Sequence, residues 1–277
     1  MGFQIGFPAL KNYPPSGVTY DADAQNYIDR VETADAAALE TATKDAINNL
    51  FLAVKASGVW SPQVYSLPLC GPRTIDGAMV PMQDVTASSI VGNLGWDRKN
   101  GIYVNDSSGS NYVSLPAAYA ENTVGTQNDF SMSVVVVYSM TQANGGAAGA
   151  SSGCYLGANN ARIFTGNSSR IAFLNRSGTQ DQGNSNKDQI VPTFRGSSRD
   201  NSADYAAYDD SGLRTCTRTS ATPPSNTFRI FNGVTGSGSG QCALNTQISW
   251  AHIGTDVDLT LLRTAVLDYR AAISTAF

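Results

Sequence analysis

The spacing of apolar positions changes three times along this chain, and each change predicts a different kind of structure. Residues 1–20 carry Phe3, Ile5, Phe7, Leu10 and Tyr13 among Pro8, Pro14, Pro15 and Gly17. The prolines forbid a regular helix and the aromatics are too apolar to leave in water. An extended docking arm is expected, lying on its own domain or on a neighbouring subunit. In residues 21–58 the period becomes helical. Asp21 or Asp23 can cap a first helix whose Ala24, Tyr27, Ile28 and Val31 form one stripe. A second helix is expected from about Asp35 to Ser57. Leu39, Ala46, Ile47, Leu50, Phe51 and Val54 share a face, and Gly58 offers a left-handed stop.

From Trp60 to about Gly254 the period shortens to two. Short apolar or alternating runs are separated by Gly, Asn, Asp, Ser and Pro clusters. Strands are expected at Val64–Cys70, Gly101–Val104, Asn111–Leu115, Phe130–Tyr138, Cys154–Leu156, Arg162–Thr165, Ile171–Leu174, Asp204–Tyr208, Arg214–Arg218, Phe228–Phe231 and Ile248–Ile253. The run FSMSVVVVY, Phe130–Tyr138, is apolar on both faces near its end and belongs in mid-sheet. The stretches 141–153 and 177–188 read as flexible surface connections. A last helix, 258–276, starts at Asp258 and keeps Leu259, Leu262, Val266, Tyr269, Ile273 and Phe277 on one face. Many strands without helical interludes predict a mainly β protein, an antiparallel jelly-roll β-sandwich. The N-terminal helices and the C-terminal helix then belong to it, and residues 59–277 form the sandwich unit.

Composition narrows the function. Charged residues make up only 14% of the 277, and the net charge is −4. Without a Lys/Arg stripe, nucleic-acid binding is not expected. No apolar run approaches the roughly 20 residues of a membrane span, and the N-terminus lacks the basic start of a signal peptide. Cys70, Cys154, Cys216 and Cys242 form no CxxC pair. They read as buried thiols, with a Cys216–Cys242 disulfide left open.

Three stretches carry a family resemblance. The first is AINNLFLAVKASGVWSPQVYSLPLCGPRTIDGAMVPM, a helix ending at Gly58 and followed by Trp60. The second is WDRKNGIYVNDSSGSNYVSLP, with Asp97, Arg98, Lys99 and Gly101 running on to Tyr112. The third is ISWAHIGTDVDLTLLRTAVLDYRAAI, a strand passing through Ile253 and Gly254 into the last helix. Together, over residues 25–277, they resemble bacteriophage virion proteins with a concanavalin A-like (laminin G-like) jelly roll. Such proteins are tail-associated, fibre or head-decoration components. The resemblance implies a virion structural protein, assembled in the host cytoplasm, whose partners are other virion proteins and copies of itself. It brings no catalytic residues.

Candidate chemistry is sparse. A sugar hydrolase needs paired carboxyls, yet the only glutamates are Glu32, Glu40 and Glu121, two of them on the N-terminal helices. The sole histidine, His252, lies in an apolar strand and reads as a core residue. GVTGSGSG (233–240) lacks the lysine of a phosphate loop. No enzyme is expected. The best metal candidate is DNSADYAAYDD, where Asp200, Asn201, Asp204, Asp209 and Asp210 are hard donors suited to calcium; no other cofactor is expected. For a host-surface glycan, the alternative ligand, the candidates are Tyr205 and Tyr208, three apart, and Tyr103 and Tyr112, flanking a polar turn.

Overall fold

The computed structural model describes residues 19–105, 111–138, 154–165, 170–186, 192–232 and 246–277. The chain enters through α1 (Ala22–Asp35), with the Asp21 carboxylate accepting from the Asp23 and Ala24 amides. Ala36, at φ 49°, ends it in the left-handed conformation. The turn follows from Asp35, which is buried and accepts from the Arg73 and Thr74 amides and the Thr74 hydroxyl. The second helix, α2 (Thr41–Ala56), therefore begins six residues later than its stripe suggests, and it stops before Gly58 at φ 76°.

Strand β1 (Gln63–Pro68) and a single turn α3 (Ile75–Ala78) precede β2 (Ser89–Val91), β3 (Leu94–Asp97), β4 (Gly101–Val104) and β5 (Tyr112–Ser114). The next strands are β6 (Phe130–Tyr138), β7 (Cys154–Gly157), β8 (Ala161–Thr165), β9 (Arg170–Asn175) and β10 (Asp181–Asn186). Then come β11 (Thr193–Arg199), β12 (Asp204–Asp209), β13 (Gly212–Thr217), β14 (Arg229–Ile230) and β15 (Gln247–Gly254). The closing helix α4 (Leu259–Ala276) is capped by Asp258, which accepts from the Thr260 and Leu261 amides.

The strands form two antiparallel sheets packed face to face, the expected sandwich. An eight-stranded sheet runs β13-β12-β11-β6-β15-β4-β3, with β1 beside the C-terminal half of β15. A seven-stranded sheet runs β10-β9-β8-β7-β14-β5-β2. Alternation sends Phe130, Met132, Val134 and Val136 into the layer between the sheets, where Ile163, Phe173 and Ile230 meet them. The opposite face of the eight-stranded sheet buries Val135, Phe194 and Trp250 under the helices. There Ile47, Leu50, Phe51 and Val54 of α2 join Leu262, Val266, Tyr269 and Ile273 of α4. At roughly 2 kcal/mol for each large side chain, this second core fastens the helices to the sandwich. Among the described residues no helix is long and apolar enough to cross a membrane.

Strands β4, β6, β8, β10 and β14 all leave the sandwich at one end, where β5, β7, β9, β11 and β15 begin. We call this the upper end. The turns between β7 and β8, β9 and β10, and β11 and β12 lie at the lower end.

Candidate ligand-binding site

At the upper end of the eight-stranded sheet, register builds a row of side chains across four strands. Gln247 of β15 stands opposite Tyr138 of β6 on one side and Tyr103 of β4 on the other, and Tyr103 stands opposite Gly95 of β3. Residues opposed in this way share a face, and a bulge in the β6–β15 pairing, where Gln247 meets Tyr138 but Ile248 meets Val136, takes Tyr138 out of the alternation that sends Val136 inward. Because Ile102 and Val104 point into the inter-sheet core, the row faces the helix side. Glycine at 95 is required by the ring above it: a Cβ there would come within 2.2 Å of Tyr103 Cζ. Gln247 is buried between the tyrosines and donates its amide to the Gly101 carbonyl at 3.2 Å. Tyr138, by contrast, is 55% exposed.

Arg270 of α4 approaches the same patch. One of its terminal nitrogens donates to Asn100 Oδ1 at 3.3 Å, while its buried Nε has no hydrogen-bond partner. Burial holds its pKa below the usual arginine value, and the nearby Tyr138 phenol partly counters that. The two rings stand roughly 10 Å apart across three strands. Phenol faces can stack on C–H surfaces, and the phenol hydroxyls can bond to the hydroxyls of a sugar ring. The row itself holds no carboxylate and no activated nucleophile.

Of the four tyrosines suggested by sequence, only Tyr103 belongs to this row. Tyr205 must be corrected: it is buried between the sheets, its hydroxyl donates to the Phe173 carbonyl at 3.0 Å, and burial raises its pKa. Tyr208, three residues on along an extended strand, points to the opposite face. There it meets Phe194 edge-on at 5.8 Å and lies under the Arg263 guanidinium. The two cannot grip one ligand. Tyr112 lies on the outer face of the other sheet under the Arg229 guanidinium, 4.3 Å from its ring centre, so it does not pair with Tyr103 either. Tyr138 and Gln247 were not anticipated. The one signal was that Tyr138 ends the most apolar strand in a residue with a polar tip.

The calcium set is also corrected. Asp200, Asn201 and Asp204 close the lower-end turn, where the Asn201 amide donates to Asp200 Oδ1 and Asp204 Oδ1. Asp209 and Asp210 lie at the upper end, roughly 17 Å away along the extended strand. Asp209 Oδ2 is 3.7 Å from Arg214 Nε, and Asp210 Oδ2 is 3.8 Å from Arg195 Nη2. Arginines therefore neutralise the second pair, and no group of three acidic, Cys or His side chains suited to a metal occurs among the described residues.

His252 is a core residue: its ring nitrogens lie 3.2 Å from Ser66 Oγ and 3.0 Å from Ser131 Oγ, and burial lowers its pKa to about 3. Cys216 is buried. Its suggested disulfide partner Cys242, the glycine-rich stretch 233–240 and the arm residues Phe3, Ile5, Phe7, Leu10 and Tyr13 lie outside the described residues.

No family model matches the chain, and no curated protein matches it by sequence. Its fold is similar to solved structures. A mutant of Trypanosoma rangeli sialidase displaying trans-sialidase activity aligns at TM-score 0.52 and 10% identity, covering 83% of this chain and 39% of that one. The receptor-binding domain of botulinum neurotoxin type G aligns at 0.48 and 12%, covering 75% and 51%. Domain 4 of an extracellular arabinanase from Geobacillus stearothermophilus aligns at 0.43 and 13%, covering 65% and 88%. The chain thus spans well under half of the sialidase. At such identity the likeness to the sialidase is one of fold.

Proposed function

We propose that this chain is a non-enzymatic virion component of a bacteriophage that binds a surface glycan through the tyrosine row of its lectin-like sandwich. The observation that carries the binding is Tyr138, an aromatic ring more than half exposed and aligned with Tyr103 across a buried amide. A large aromatic left in water at the end of a rigid strand is preorganised for stacking and loses little entropy on binding. The virion setting rests on the three-part sequence resemblance, and the absence of a catalytic role on the shortage of glutamates.

A glycan array tests the binding. The wild-type chain should retain a defined sugar class with or without chelator, and Tyr138→Ala and Tyr103→Ala should each weaken it about tenfold, the magnitude of one lost aromatic contact. Failure of the wild-type chain to bind any surface glycan would sink the binding half. Its absence from purified particles, probed by immunolabelling, would sink the other.

A further inference from the structure

The outer face of the seven-stranded sheet carries a second row, on the far side of the sandwich from the tyrosines. Register places Arg162 of β8 opposite Gly157 of β7, Gly157 opposite Arg229 of β14, and Arg229 opposite Ser114 of β5. Their chain neighbours Ile163, Ile230 and Val113 point into the inter-sheet core, so this row faces outward. The two arginine Cα atoms are roughly 10 Å apart, two inter-strand spacings. Between them Gly157 leaves a gap that the Arg162 stem overhangs: a Cβ at 157 would come within 2.5 Å of Arg162 Cγ.

Stacking fixes both guanidinium groups. That of Arg162 lies 5.0 Å from the centre of the Phe164 ring, and that of Arg229 lies 4.3 Å from the centre of the Tyr112 ring. Both rings sit one step towards the upper end, so the two cations lean the same way. Each arginine stays partly exposed. Among the described residues neither guanidinium has an ion pair or a hydrogen bond, and the buried Nε of each is without a partner. Glu121 is near enough to feel the Arg162 charge, but it is buried and accepts from the Asn159 and Asn160 amides. The six strands from β9 across to β2 contain no Asp or Glu. In a chain of net charge −4, this face therefore carries a basic row without an acid of its own.

We infer that this face is a second ligand site, where an acidic polysaccharide lies across the strands with its anionic groups on Arg162 and Arg229. Stacked over its ring, each guanidinium offers its terminal nitrogens, which match the paired oxygens of a carboxylate or a sulfate ester. The spacing suits a linear sugar chain. The arginines stand about the length of a disaccharide apart, Gly157 leaves room for the ring between them, and Ser114 continues the row. Nucleic acid fits this face less well, because bases stack on open aromatic rings. Here Phe164 is buried and Tyr112 already lies against Arg229.

Titration of the immobilised full chain with four polymers tests the site: heparin (sulfated), polygalacturonate (carboxylated), dextran (neutral) and oligothymidylate. At least one acidic polysaccharide should bind more tightly than dextran, and added salt should weaken it. Preference between heparin and polygalacturonate then identifies the anionic group. Arg162→Gln and Arg229→Gln keep a stem against the ring, and each should weaken binding about tenfold, the pair about a hundredfold. Should the double variant fail to fold in thermal melts, Arg162→Lys and Arg229→Lys replace it, since they keep the charge and lose the fork. The inference is overturned if neither acidic polysaccharide outbinds dextran, if oligothymidylate binds more tightly than both, or if the folded arginine variants bind like wild type. Loss of binding in Tyr138→Ala instead would move the contact to the tyrosine row and overturn it equally.

Discussion

The two ends of the sandwich both bury arginines, and they treat them in opposite ways. At the lower end Arg199 donates from all three nitrogens, to the carbonyls of Asn175, Asn201 and Arg218 at 2.9–3.0 Å. Arg176, held at φ 48°, donates to the carbonyls of Glu121, Val124 and Thr126 over the ring of Phe130. At the upper end Arg195 is fully buried and stacks 5.0 Å from the Tyr155 ring centre; among the described residues it makes no hydrogen bond, and its one ion pair there is the 3.8 Å approach to Asp210. The difference follows from the acceptors within reach of each side chain. The lower end carries long connections with little regular structure, residues 115–129 and 218–228, whose carbonyls have few strand partners. Arginine forks supply the missing donors. Towards the upper end the strands already pair one another, so an arginine there fills space.

Removing a lower-end fork should therefore have the largest effect. Arg176→Ala leaves three carbonyls short of donors and takes from the buried Glu121 carboxyl one of its two nearby positive charges, the other being Arg162. A loss of about 3–5 kcal/mol in urea unfolding is expected. A loss under 1 kcal/mol would show that the connection is held by something else.

Glu121 provides the next effect, through pH. Its carboxylate is fully buried and accepts from the Asn159 and Asn160 amides at 3.0–3.2 Å. Burial dominates, raising its pKa from 4.5 to about 7, while those amides and Arg176 oppose the rise. A carboxyl whose pKa is raised on folding holds its proton more tightly in the native state. Its contribution is thus most favourable below pH 4.5, declines as pH rises to about 7, and is constant above. The decline is about 3–4 kcal/mol for a shift of this size. Glu121→Gln should flatten that stretch of the stability–pH curve, read by thermal melts. An unaltered slope would assign it to other groups.

How much of this was legible follows the same division. The strand Phe130–Tyr138 stood out with its final bounds, because every inward position is Phe, Met or Val and its core needs no polar partner. The adjoining strand TFRGSSR, Thr193–Arg199, was missed although it sits in mid-sheet. Its inward residues are Arg195, Ser197 and Arg199, which become buriable only through the rings of Tyr155 and Tyr205 and through distant carbonyls. No local pattern announces such partners. The edge strand Asp181–Asn186 reads as a loop in sequence because it is polar throughout. The tyrosine row was half legible. Tyr103 beside a polar turn was a reasonable guess, whereas its alignment with Gln247 and Tyr138 depends on register between strands 35 to 144 residues apart. Judging Tyr205 and Tyr208 as a pair failed on strand alternation alone.

The smallest effect belongs to the upper-end arginine, and it is the sharpest test of the contrast. Arg195→Met keeps an unbranched stem against Tyr155 and removes a guanidinium that donates to no acceptor. Asp210, left behind, still accepts from the Thr193 hydroxyl, and its side chain is 13% exposed, so water can reach it. A buried charge pair exchanged for an apolar isostere is commonly neutral or stabilising, and here a change within about 1 kcal/mol of wild type is expected in the same urea titration. The substitution separates two explanations of the same burial. If Arg195→Met costs as much as Arg176→Ala, the upper arginine serves as a staple too, and the two ends differ only in which acceptors they use. If it is neutral while Arg176→Ala is not, the hydrogen bonds to carbonyls, rather than the depth of the charge, decide what a buried arginine contributes to this sandwich.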